Sequence, residues 1–372
     1  MSIRNLYFIG HCLSLDENPS FSETIIAQFS DPNYDWNIFL LICSDHLIIP
    51  VIYLKFKAHN LLGYLPELLA LHLEDIYFLN RNRNEQIILQ MKQITATLNS
   101  AGVSPIYLKG TGNLIDGIYT DIGERIIGDI DFLVPGTDFL TAAELFKNEG
   151  YQICRPNNEP IDQIKHYPRL WKENVTADIE SHRSPVTVNH SLHFGADLVQ
   201  QFKKEVAEYP GCYVLSDEHK VILNFIHSQL TNAGHALGVV SLRDIYDLYC
   251  FSKRVDLSKI PQAFHYRKKS IAYFKISEKL LNLPCNFYPH ETIGSRYYRL
   301  KQDLNFKSAF IYKVNRLVWA ISEAISYGIQ QIRESSSNGK LRWKIVKSII
   351  TPKWYGEKVT EYYQKYKNDQ TF

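Results

Sequence analysis

Apolar residues recur at three- and four-residue spacing over residues 36–48, 61–79 and 85–98, which predicts helices with one buried face across the first hundred or so residues. A polar stretch with Gly102 ends the last of them. The period then shortens. Residues 104–108 (SPIYL), 129–134 (DIDFLV) and 175–180 (VTADIE) are short β-rich runs and predict strands. Between the second and third, residues 137–148 (TDFLTAAELFKN) give a capped amphipathic helix closed by Gly150. Strands alternating with a helix predict an α/β core of roughly a hundred residues. The helical period returns over 218–230, 239–251 and 270–283, and Ser335-Ser-Ser-Asn-Gly marks a flexible joint.

At 372 residues the chain is long enough for one large domain or a few modest ones, and 45% hydrophobic residues suffice for real cores, which excludes wholesale disorder. A net charge of +2 excludes a molecule that binds nucleic acid or anionic membrane over its whole surface. Cys12, Cys43, Cys154, Cys212, Cys250 and Cys285 lie far apart with no CxxC pair, against a zinc ribbon or a disulfide scaffold. The N-terminus has no apolar stretch of signal-peptide length. The greasiest run, 39–54, is broken by Asp45, His46 and Pro50, so a buried helix followed by a Pro-marked bend is expected rather than a membrane span. These features predict a soluble, cytoplasmic protein. Residues 333–372 carry nine Lys and Arg against four Asp and Glu, interleaved with Trp343, Trp354, Tyr355, Tyr362, Tyr363 and Tyr366. That tail reads either as a nucleic-acid-facing surface with stacking rings or, with better support, as a solvated helix face carrying core aromatics.

Chemistry concentrates at Leu108-Lys-Gly-Thr-Gly-Asn-Leu, Arg125 and Asp129-Ile-Asp-Phe-Leu-Val. Asp129 and Asp131 are two apart, so a strand points both to one face, where their repulsion and burial are relieved by a divalent cation. With hard oxygen ligands and no His or Cys expected beside them, Mg²⁺ or Mn²⁺ is favoured over zinc. Lys109, Gly110, Thr111 and Gly112 sit between a strand and a helical segment, where glycines let backbone amides approach phosphate. Asp178, Glu180 and His182 alternate downstream and share a face in a strand. Glu180 or Asp178 then joins the pair, an arrangement for nucleotidyl displacement around two metals. Arg125 either neutralises a phosphate or pairs with an acid. His227 and His235, eight apart in polar surroundings, are better read as structural than as a metal pair. Arg243 and Asp247 are spaced as an i, i+4 helix pair, with Asp247 otherwise assigned to the cleft between core and helical region.

The order LKG, Arg, DIDFLV and a later E-x-H strand resembles the nucleotidyltransferase superfamily with the DNA polymerase β-type fold. It is most similar to the bacterial group of uncharacterised nucleotidyltransferases, with a further likeness to AbiEii-type toxin nucleotidyltransferases. The resemblance implies an α+β fold: a helical N-terminal region over 1–100, a small mixed-sheet nucleotidyltransferase core over 101–200, a helical C-terminal domain over 201–334 and a basic aromatic tail over 335–372. It implies Asp129, Asp131 and Glu180 as catalytic and metal-binding acids, with Asp178 as the alternative third carboxylate. It further implies Lys109, Gly110, Thr111, Gly112 and Arg125 as nucleotide contacts. The implied reaction transfers NMP from an NTP to a small-molecule, RNA or protein acceptor with Mg²⁺ or Mn²⁺ and releases pyrophosphate. The rivals are a non-catalytic nucleotide- or partner-binding protein with the same fold, and a toxin-like enzyme acting on tRNA or protein.

Overall fold

The computed structural model describes residues 3–134, 136, 138–155, 164–262, 264–283, 287–334 and 351–365. It is a mixed α+β protein. Four helices open the chain: α1 (Ile3–Leu13), α2 (Phe21–Phe29), α3 (Trp36–Asp45) and α4 (Ile49–Ala58). The Asp35 side chain caps α3, and Pro50 stands in the first turn of α4. The two axes bend by 119° across the break, and Phe39 and Phe56 stack in the core. The bend expected after the apolar run is therefore present. No single helix among the described residues is long and apolar enough to cross a membrane.

The sequence pattern divides 61–98 into two helices, whereas α5 runs unbroken over Glu67–Ser100, 34 residues. The polar interruption Asn80-Arg-Asn-Arg-Asn lies in phase with the apolar seam. Leu73, Tyr77, Asn80, Asn84, Ile87, Met91, Ile94 and Leu98 follow one another at alternating steps of four and three and are all buried. The asparagines stay buried because their amide nitrogens have carbonyl partners. Asn80 Nδ2 donates to Gly123 O (2.7 Å) and Arg125 O (3.1 Å), and Asn84 Nδ2 donates to Ile122 O (2.6 Å) and Arg125 O (2.8 Å).

Seven short strands form one open sheet: β1 (Ile106–Tyr107), β2 (Ile130–Leu133), β3 (Gln152–Ile153), β4 (Leu170–Trp171), β5 (Ile179–His182), β6 (Lys204–Glu205) and β7 (Tyr213–Val214), in the order β3-β4-β5-β2-β1-β7-β6. β2 and β5 are parallel, with Asp131 opposite Glu180 and Leu133 opposite His182, while β1 is antiparallel to β2. Helix α6 (Lys109–Ile115) follows β1, and α7 (Asp138–Asn148) lies between β2 and β3. The third strand begins four residues later than the pattern predicts. Gln90 on α5 holds Ala177 through both its N–H (3.0 Å) and its C=O (2.7 Å), which keeps that segment out of the ladder.

Beyond the sheet lie α8 (Asp217–Phe225), capped by Ser216, a widened π-helical turn over Ile226–Thr231, and α9 (Leu242–Ser252), capped by Ser241. They are followed by α10 (Arg267–Leu281), α11 (Ile293–Lys307), α12 (Ala309–Glu334) and α13 (Pro352–Lys365). One continuous apolar core runs from α1 through the sheet to α11. The proposed joint at 335–339, Trp343, Tyr366 and Cys285 lie outside the described residues; the other five cysteines are free thiols. Trp354 stacks on Tyr327, Tyr362 meets Trp319 edge-on, and Tyr363 lies under the Arg316 guanidinium, so these tail rings pack on α12.

Candidate active site

α5 sets where the two central strands begin. Besides the asparagine bonds, Arg83 donates to the carbonyls of Ile127, Gly128 (3.1 Å) and Thr176 (3.3 Å), so one side chain spans the segments entering β2 and β5. The parallel register then puts Asp131 and Glu180 on one face, with His182 two residues on. Asp131, Glu180 and His182 offer ligand atoms that all lie within 4.8 Å of one another. Asp129, half-buried just ahead of β2, completes the row of acids.

Hydrogen-bond donors compensate this row. Lys109 Nζ donates to Asp131 Oδ1 (2.6 Å), and His182 Nε2 lies 2.7 Å from the same oxygen and 3.4 Å from Glu180 Oε2. Between two carboxylates that nitrogen carries the proton and donates. Arg169 donates from Nε and NH2 to Glu180 Oε1 (3.0 and 2.9 Å) and from NH2 to Asp129 Oδ2 (2.6 Å). Burial works against the Asp131 charge, yet Lys109 and His182 hold it well below the usual carboxylate range. Burial likewise opposes the Glu180 charge, but the His182 hydrogen bond prevails and lowers it to about 2. Asp129 goes the other way: burial, then repulsion from Asp131, raises it. Burial also opposes the charge on Lys109, which Asp131 outweighs, keeping it above the usual lysine range.

Lys109, Asp129, Asp131, Arg169 and Glu180 line a cavity of about 330 Å³, shared with Gly110, Asn113, Arg125, Lys165, His166, His227, Arg243, Asp244 and Asp247. Thr111 and Gly112 are not among its lining residues. Thr111 Oγ1 donates to Asp129 O (3.3 Å), and a Cβ at Gly112 would lie 2.4 Å from Tyr107 O, so that glycine serves the packing of α6 on β1. The expected glycine turn is thus the first turn of α6 itself, and Lys109 opens it in the left-handed region at φ +47°.

Arg125 pairs with an acid: its Nε and NH2 donate to the Asp247 carboxylate at 3.0–3.2 Å, with Tyr119 OH on the same group (2.8 Å). This replaces the expected pair within α9. Arg243 instead lies 3.5 Å from Asp244, because Arg125 reaches Asp247 from the loop. His227 and His235 do not come together as ligands among the described residues: the π-helical turn sets His227 in the cavity wall, while His235 stacks on Tyr298. Asp178 precedes β5, and its carbonyl accepts Ile130 N–H (2.8 Å).

A family model for uncharacterised nucleotidyltransferases matches residues 32–266. The chain belongs to that family. No curated protein matches it. In this family member the match runs from just before α3 to the residue before α10, so it takes in every strand of the sheet.

Three members of the site escaped the sequence pattern. Lys165, His166 and Arg169 lie on a segment that runs antiparallel beside β5, with Tyr167 N–H on Ser181 O (2.8 Å) and Arg183 N–H on Lys165 O (2.9 Å). Only the run of basic and aromatic residues in KHYPRLW signals it. The nearness of His182 also departs from the expectation of an all-oxygen surrounding. The carboxylates of Asp131 and Glu180 fit a divalent cation by donor chemistry, with His182 beside them donating to both, and the carboxylates of Asp129 and Glu180 already share one guanidinium as a stand-in cation.

Proposed function

We propose that this protein is a metal-dependent nucleotidyltransferase that transfers NMP from an NTP to an acceptor and releases pyrophosphate. The observation that carries the reading is the row Asp129, Asp131 and Glu180, gathered on and just ahead of adjacent parallel strands at a cavity also lined by Lys109, Lys165 and Arg169. The three carboxylates would hold Mg²⁺ or Mn²⁺, with His182 orienting Asp131 and Glu180 through its Nε2–H. The bound cation supplies charge neutralisation at the triphosphate and acidifies the attacking group.

The chain's own residues do the rest. Lys109, Gly110, Lys165 and Arg169 face the phosphates. The acceptor oxygen bonds to the α-phosphorus, the bond from that phosphorus to the bridging oxygen breaks, and its electron pair leaves with pyrophosphate. The acceptor proton passes to a carboxylate of the row. His227, Arg243 and Asp244, which line the same cavity, receive the acceptor. His227 meets it as a neutral imidazole, since burial and then the Lys109 charge lower it to about 3.

Incubation with each α-³²P-NTP, Mn²⁺ or Mg²⁺ and a cell extract should release pyrophosphate and label one acceptor class, and Asp131→Asn should lower the rate at least about a hundredfold. Equal labelling by that variant would overturn the assignment. Nucleotide binding without pyrophosphate release across a broad acceptor panel would favour the non-catalytic rival.

A further inference from the structure

Besides His182, two cationic side chains already occupy carboxylate oxygens that a cation would need, and they are held differently. Lys109 is anchored. Its side chain is 20% exposed and leaves a left-handed backbone at the start of α6, which Gly112 seats against β1. Arg169 is 45% exposed and stands just before the two-residue strand β4. Its guanidinium holds Glu180 and Asp129 together from the solvent side and lines the cavity. Half-exposed long side chains change rotamer at modest cost, and Arg in particular pairs equally well with carboxylate or phosphate.

We infer that Arg169 is a resident counter-ion which a divalent cation must displace, and which then turns to the nucleotide phosphates, so that metal and nucleotide bind cooperatively. The inference rests on the nucleotidyltransferase reading above. Without a cation, Asp129, Asp131 and Glu180 repel one another, and the guanidinium relieves that repulsion. A divalent ion on the same oxygens repels the guanidinium and breaks its charge-assisted bonds to Asp129 and Glu180, which weakens metal binding by that amount. Nucleotide phosphates give the released guanidinium a new anionic partner. By reciprocity, nucleotide then strengthens metal binding by the same factor as metal strengthens nucleotide binding.

The test is Mn²⁺ titrated into the full chain, with free Mn²⁺ read by electron paramagnetic resonance, with and without an α,β-methylene NTP analogue. Arg169→Ala and Arg169→Gln should bind Mn²⁺ alone about tenfold more tightly than the wild type, and the strengthening by nucleotide should shrink by a similar factor. Arg169→Lys, which keeps the charge but loses the fork, should fall between. Circular dichroism identifies any variant that fails to fold, and the remaining ones carry the comparison. If neither neutral variant binds Mn²⁺ more tightly, or the nucleotide effect is undiminished, the counter-ion role is overturned. Asp131→Asn separates the two levels: wild-type Mn²⁺ binding in that variant overturns the metal site itself.

Discussion

His46 accepts the Leu242 N–H at Nδ1 (3.3 Å), joining the break after α3 to the start of α9. That bond needs a neutral ring. Burial lowers the His46 pKa to about 4, with Arg243 adding to the effect and Asp244 opposing it. An unfolded histidine titrates near about 6.5, so between that pH and 4 the unfolded chain binds the extra proton. Stability from this residue is therefore complete above about pH 6.5 and is lost as pH falls toward 4. His166, lowered to about 4 by burial and His182, adds a loss of the same sign. Urea unfolding at pH 7 and pH 4.5 should show His46→Asn losing roughly 2 kcal/mol less than the wild type over that interval. Equal losses would remove His46 from this account.

Among the elements, α6 and α5 do the most to shape the site. Ala at 112 meets backbone, the Tyr107 carbonyl oxygen at 2.4 Å, whereas Ala at 110 meets only the Ile127 side chain at 3.3 Å. Gly112→Ala should therefore cost about 1–3 kcal/mol in urea unfolding and Gly110→Ala clearly less. Gly110→Ala should show instead as a raised KM for nucleotide. The reverse order would mean that α6 does not rest on β1 as described. The legible part of this site lay where period and chemistry coincide. Asp129 and Asp131 stand at alternate positions of an apolar run, and Glu180 and His182 repeat that spacing, so facing sides followed from the pleat alone. Asn80 to Asn84 misled because a polar residue in phase with a buried seam looks like a helix end, and only its distant carbonyl partners explain its burial. β3, β4, β6 and β7 are two residues each, too short to carry a period. Arg169 stayed hidden for the same reason, since the strand that follows it declares itself only by pairing.

For the molecule as a whole, the Arg125–Asp247 pair joins the sheet to the helical region that follows it. Their side chains are 9% and 5% exposed, so neither charge has water to fall back on. Arg125→Ala should destabilise the chain by about 3–5 kcal/mol, because Asp247 would keep only Tyr119 as a described hydrogen-bond partner. The double change Arg125→Met with Asp247→Leu should be less harmful than Arg125→Ala in the same unfolding measurement. A larger loss for the double change would show that volume, rather than charge, governs this contact. The long helix α5 acts on the same scale through its rotational phase. Each residue turns an α-helix by about 100°. Removing one residue between Tyr77 and Asn80 would swing the asparagines, Arg83 and Gln90 away from the carbonyls they hold, while leaving every acid in its strand. The spacing between Asp129 and Glu180 is in that sense clocked from a helix that contributes no residue to the cavity wall, so a one-residue change in its length would reach the site without touching it.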